Sequence, residues 1–257
     1  MKRFAIITFL AILATVANAQ RPGYWQQHVD YKMDVEVDEN NYKYQGDMVL
    51  KYTNNSNKEL PKIYFHLYFN AFQPGSMMDY RLSNIKDPDA RMTTNIGTKE
   101  NPKYQSRIAV LTPEQIGYQK VNKLSVNGQP ASFKVDGTIL EVTLSQPIKR
   151  EETATIEMQW EAQVPEQIRR SGRNSKEGVA LSMAQWYPKM AQFDDFGWHL
   201  DEYVAREFIA PFGNFDVTIH LNKDYVVGAS GKLQNPTQVK GYDRKAKITS
   251  QDRKSVV

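Results

Sequence analysis

The sequence contains no cysteine. That rules out a disulfide framework and leaves a packed apolar core as the source of stability. Histidine is scarce as well, with four residues in 257, so each can be tested as a metal ligand or base. After the first segment, no apolar run is long enough to cross a bilayer, which needs roughly 20 residues. A dominant charge is also lacking. The formal net charge is +4 and acids and bases are interspersed, so the footprint of a nucleic-acid-binding protein is missing. Neither a nucleic-acid nor a membrane partner is expected.

The common catalytic constellations are absent too. There is no Gly-x-Ser-x-Gly elbow and no cysteine nucleophile. A helical zinc site needs His-Glu-x-x-His, which sets both imidazoles on one helix face, and His28, His66 and His220 lack that continuation. The run His199-Leu200-Asp201-Glu202-Tyr203 approaches the inverted order, but Tyr203 stands where the second histidine is required. No residue is assigned as catalytic or as a metal ligand, and no cofactor is expected in this chain. A self-contained hydrolase built on the acids between Asp194 and Glu202 is the weakest alternative; those acids are expected to be solvated or paired with Arg206. His66, in the most apolar strand, is expected to be a hydrogen-bonded core residue.

Three further motifs have plain explanations. Gly228-Ala229-Ser230-Gly231-Lys232-Leu233 lacks the glycine spacing and the Ser/Thr of a phosphate loop and is read as a turn. The cluster Arg169-Arg170-Ser171-Gly172-Arg173 is read as a solvated loop tip in preference to an anion site. Asn54-Asn55-Ser56 matches a glycosylation sequon, which matters only in a eukaryotic secretory pathway.

What the sequence does contain begins with an export signal. Lys2 and Arg3 precede an apolar stretch over residues 4–16, and Ala17-Asn18-Ala19 is a small-x-small cleavage site. Residues 1–19 are therefore expected to be a signal peptide, giving a soluble mature protein that is periplasmic or secreted. The mature chain is long enough for one large all-β domain or two small ones.

Period-2 alternation dominates from there. Val29, Tyr31, Met33, Val35 and Val37 share one face of a strand, and Met48, Leu50 and Tyr52 share one face of the next. Asp38-Glu39-Asn40-Asn41 forms the turn between them. Residues 60–70 are apolar on both faces and read as one buried strand. Residues 73–118, rich in Pro, Gly, Asn and Asp, read as a long irregular surface excursion with one short helix near 76–82. Strands resume at 119–126, 131–135, 138–144 and 153–160, with Asn127-Gly128 and Asp136-Gly137 as hairpin signals, and further strands are expected at 215–221, 225–229 and 239–250. The fold class is all-β, an antiparallel β-sandwich or a saddle-like pair of curved sheets. An aromatic, amide-rich segment remains, with Gln185, Trp186, Tyr187, Phe193, Phe196 and Trp198. It either closes the domain's own core or forms an interface.

The order of short motifs carries a resemblance. Tyr44-Gln45-Gly46-Asp47 is followed by Leu60-Pro61-Lys62-Ile63-Tyr64-Phe65-His66-Leu67, then by Leu111-Thr112-Pro113-Glu114-Gln115-Ile116-Gly117-Tyr118. Gln185-Trp186-Tyr187-Pro188-Lys189-Met190 and Phe212-Gly213-Asn214-Phe215-Asp216-Val217 complete the series. Together they resemble the N-terminal β-domain of exported bacterial aminopeptidase N-type zinc metallopeptidases. The resemblance implies a non-catalytic domain over residues 20–236 that packs on a C-terminal catalytic domain and walls its cleft. Residues 237–257 would begin a truncated continuation. The zinc, the general base and the peptide substrate would belong to that missing catalytic domain. One role transfers by resemblance: Gln185 is the match for a glutamine that reaches the amino-terminal side of the substrate. The competing function is a stand-alone β-sandwich scaffold that binds a peptide or glycan.

Overall fold

The computed structural model describes residues 23–85, 89–166, 169–204 and 208–241. The expected signal peptide at 1–19, Arg206 and residues 242–250 of the last expected strand lie outside the described residues, and the described start of that strand, 239–241, forms no strand.

The chain opens with β1 (His28–Asp38) and β2 (Lys43–Thr53), paired antiparallel so that Tyr31 faces Leu50 and Met33 faces Met48. Alternation is the cause: every second residue of both strands is buried. Asp38 closes the turn by accepting from the backbone N–H groups of Asn40 and Asn41. β3 (Leu60–His66) is followed by a 3-10 turn at Tyr68–Ala71, helix α1 (Met77–Asn84), and the small hairpin of β4 (Thr93–Asn95) and β5 (Tyr104–Ser106). Ser76 caps α1 by accepting from the Asp79 backbone N–H. The succession β6 (Tyr118–Val126), β7 (Gln129–Pro130), β8 (Ser132–Asp136), β9 (Ile139–Ile148) and β10 (Thr153–Gln163) then builds both sheets.

Short pairs come next: β11 (Gly172–Arg173) with β12 (Leu181–Ser182), β13 (Lys189–Met190) on β3, and β14 (Phe193–Asp194) with β15 (Gly197–Trp198). The last strand is β16 (Phe212–His220). One sheet runs β16-β1-β2-β10-β6-β7 and the other β13-β3-β9-β8. The core between them includes Tyr52, Ile63, Phe65, Leu140, Val142 and Trp160, all almost fully buried. Gly46 faces Trp160 across the β2–β10 pair, and a Cβ there would collide with the indole ring, so glycine is required for close packing.

The all-β class stands, with four local departures from the sequence expectation. β3 ends at His66 and not at residue 70, because the chain turns into the 3-10 segment with Tyr68, Phe69 and Ala71 buried in succession. Asn70 fixes that turn: its Oδ1 accepts from the Gln119 backbone N–H at 2.8 Å and its Nδ2 donates to the Gly137 carbonyl. The excursion is more than surface, since Met78, Leu82, Met92 and Ile108 all enter the core. Residues 225–229 form no strand. Finally, β16 pairs parallel with β1, setting Phe215 beside Tyr31, Val217 beside Met33 and Ile219 beside Val35.

Candidate functional site

Where β3 ends, three pieces of chain converge. The Leu67 backbone N–H donates to the Thr138 carbonyl at 2.7 Å in the β8–β9 turn, and the Tyr203 N–H donates to Thr138 Oγ1 at 3.1 Å. Gly137 in that turn has φ +53°, the left-handed region that suits glycine. A Cβ there would land on the Glu202 carboxylate, whose Oε1 accepts from the Thr138 N–H at 3.4 Å. The turn and the segment 199–204 are thus locked together.

Between them lies a cavity of about 320 Å³, near the lower end of ligand-pocket volumes. Its aromatic wall is Tyr68, Tyr203 and Phe208, each pair of rings within 5.5 Å centroid to centroid. The polar wall comprises His66, His199, Asp201 and Glu202. His66 is buried, stacks on Tyr68 at 5.0 Å, and has Nε2 3.2 Å from the His199 carbonyl oxygen. Burial pushes its pKa down to about 4, so the imidazole is neutral at pH 7. A second cavity, of about 290 Å³, lies on the other side of the shared residues Phe208 and Ile209 and is lined by Gln26 and Gln192.

The sequence-derived candidates scatter around this centre. Gln185 does not line the cavity. It is half-buried with φ +57°, and its Oε1 accepts from Lys189 Nζ at 3.0 Å. Burial lowers the Lys189 pKa. Of the aromatic segment, Trp186, Tyr187, Phe193 and Trp198 pack against the core, and only Phe196, at the tip of the β14–β15 turn, projects fully into solvent. The acids do not gather either: Asp194 lies 2.7 Å from His199 Nε2, Glu202 caps the turn, and Asp201 is exposed. Zinc has no ligand set here. Among the described residues no three of His, Cys, Asp and Glu converge, and the His66 and His199 Nε2 atoms each face a protein oxygen, so these residues do not fit the ion.

The basic cluster is not a solvated tip. Arg173 is buried, stacks over Tyr42 at 4.2 Å, approaches Glu166 at 3.7 Å and donates to the Glu114 carbonyl; Arg169 sits 3.5 Å from Asp89. Asn54 is fully buried with Nδ2 donating to the Lys58 and Ile148 carbonyls, which closes the sequon to modification in the folded state. The sequence did not signal Tyr68 and Phe208 as cavity walls, because they are 140 positions apart and each looks like an ordinary core aromatic.

The more consequential surface lies on β16. Its core-side row is uncovered: Phe215, Val217 and Ile219 are 50%, 38% and 39% exposed, whereas their neighbours Tyr31, Met33 and Val35 on β1 are 4%, 2% and 1% exposed. Phe215 stacks on Tyr31 at 4.8 Å and meets Tyr187 edge-on, yet half of it stays exposed. The opposite face is polar. There Asn214 donates to Asp30 at 2.7 Å, and His220 lies 3.0 Å from Asp34; the Asn214 bond, followed by His28, holds the Asp30 pKa below its usual value.

Solved structures give matches to this fold. Among them are M1 zinc metallopeptidases. A two-domain M1 zinc metallopeptidase bound to L-tryptophan is 15% identical, with a TM-score of 0.35, over 63% of this chain and 28% of that one. The M1 zinc metallopeptidase of Deinococcus radiodurans is 14% identical, with a TM-score of 0.36, over 62% of this chain and 26% of that one. The chain thus matches about a quarter of the length of those structures. No family model and no curated protein matches it. Among the described residues no helix is long and apolar enough to cross a membrane.

Proposed function

We propose that this chain is a non-catalytic β-domain that packs on the catalytic domain of an exported zinc aminopeptidase and walls its cleft. The zinc that would activate water for that hydrolysis would be held by the catalytic domain, since no ligand set occurs among the described residues of this chain. The observation that carries the reading is the uncovered row on β16. The sheet's core face continues past the cover that the described residues supply, and an apolar face of this kind marks an interaction surface. The order of sequence motifs is what suggests the partner. Residues 20–236 form the domain, 237–257 lead out of it, and a leader at 1–19 directs export to the periplasm or the medium. Gln185 is two residues from Tyr187, whose ring packs on Phe215; the loop carrying it therefore borders the docking face, where it can reach the amino-terminal side of a substrate.

The test is to read the DNA past the Val257 codon and assay the product of the whole frame. An in-frame His-Glu-x-x-His with a further glutamate, and chelator-sensitive hydrolysis of an aminoacyl 4-nitroanilide, is the expected result. A frame without that motif, and a product without that activity, overturns the reading. The alternative is then a stand-alone scaffold that binds a peptide or glycan, which the cavity at the end of β3 favours.

A further inference from the structure

The cavity at the end of β3 lacks donors where it needs them. His66 is 3% exposed and its Nδ1 has no hydrogen-bond partner. Its Nε2 faces a carbonyl oxygen, which only accepts, so Nε2 carries the proton and Nδ1 is left as a bare acceptor. A buried acceptor without a partner is destabilising. The two carboxylates nearby are also acceptors, Asp201 at the rim and Glu202 engaged on one side with the Thr138 N–H; the Tyr68 and Tyr203 hydroxyls can donate, but neither meets His66 Nδ1, which has no partner. Asp201 makes no ion pair among the described residues. Tyr68, Tyr203 and Phe208 line the same cavity, and aromatic ring faces attract a cation.

We infer that this cavity binds a primary ammonium group on a short apolar arm, which donates to His66 Nδ1, is balanced by Asp201 and Glu202, and lies against the three rings. An anion is disfavoured because it would meet two carboxylates and a bare ring nitrogen. A neutral hydroxyl would satisfy Nδ1 but bring no charge to the two carboxylates, which make no ion pair among the described residues. Lys189, directly across from His66 in the β3–β13 pair, opposes a cation. Its ammonium is held by Gln185, and the two carboxylates outweigh it. Such binding is independent of whether the chain is part of a peptidase. A lysine side chain and a peptide amino terminus both carry this chemistry.

The experiment is a titration of the full chain with n-butylammonium, n-butanol and tetramethylammonium, read by calorimetry and by the ¹⁵N shift of His66 Nδ1. Butylammonium should bind, move the Nδ1 resonance, and bind more than ten-fold tighter than butanol, as a charge-assisted bond requires. Tetramethylammonium, which has no N–H, should leave Nδ1 unmoved. Asp201→Asn, at an exposed position, should weaken butylammonium about two- to five-fold. N-acetyl-lysine methylamide and leucinamide then separate the sources, and tighter binding by either one names the group the site takes. Equal binding of butanol and butylammonium, or amine binding that leaves His66 Nδ1 unmoved, would overturn the inference. So would failure of every amine to bind.

Discussion

Gly137→Ala should destabilise the protein through two separable effects. The residue has φ +53°, where an alanine costs about 1–2 kcal/mol relative to glycine. The new methyl would also occupy the position of the Glu202 carboxylate and displace it from the Thr138 N–H, a bond of 3.4 Å. A hydrogen bond of that length adds at most about 1 kcal/mol. The total is therefore about 1–3 kcal/mol in the wild-type background. In a Glu202→Ala background the collision is gone and only the backbone cost remains, about 1–2 kcal/mol. The difference between backgrounds is the coupling that a double-mutant cycle isolates. Equilibrium urea unfolding followed by fluorescence of the four tryptophans measures all four proteins. Equal costs in the two backgrounds would refute the placement of Glu202 over the turn, and no cost in either would refute the backbone conformation.

Other perturbations act on the same packing. Gly46→Ala drives a methyl into the Trp160 ring and should cost about 2–3 kcal/mol, read as a lowered urea midpoint and reduced soluble yield. Arg173→Lys loses the planar contact over Tyr42 at 4.2 Å and the guanidinium hydrogen bond to the Glu114 carbonyl, and alters the 3.7 Å approach to Glu166. It should cost about 2–3 kcal/mol in the same assay, and much less if Tyr42 is first changed to Leu. His66 has its pKa pushed down from 6.5 to about 4 by burial, so between those values the unfolded chain binds the extra proton. Its stability contribution is complete above pH 6.5 and is lost as pH falls through about 4, a change of ~3 kcal/mol in the limit. His66→Phe should flatten stability across that window. Asp89 acts lower, because Arg91 first and other contacts after it hold its pKa at about 2; its share is present above pH 3.8 and fades toward pH 2.

The strands were legible wherever one face is buried and the other wet. The Val29–Val37 alternation gives β1 and the Asn127-Gly128 pair gives a hairpin, with both residues at positive φ. Legibility failed where burial is two-sided: residues 65–69 are buried in succession, and a covered strand and a 3-10 turn then share one pattern. It failed also where exposure hides direction, since the alternation in β16 says nothing about parallel pairing with β1. The cavity was half visible. His66 and the acids at 201 and 202 stood out by type, but the wall they share with Tyr68 and Phe208 is a product of tertiary packing. The arginine cluster misled because charge suggests solvent, whereas Arg173 is accommodated inside by an aromatic face and carbonyl and carboxylate oxygens.

The decisive measurement is carbene footprinting of Phe215, Val217 and Ile219, carried out in the 257-residue chain and in the product of the whole reading frame. The docking role predicts strong labelling of all three in the chain and at least several-fold protection in the full product, with the polar-face residues Asn214 and Thr218 much less affected. Equal labelling of the row in both proteins would contradict it, because the β16 face would then have no partner to cover it.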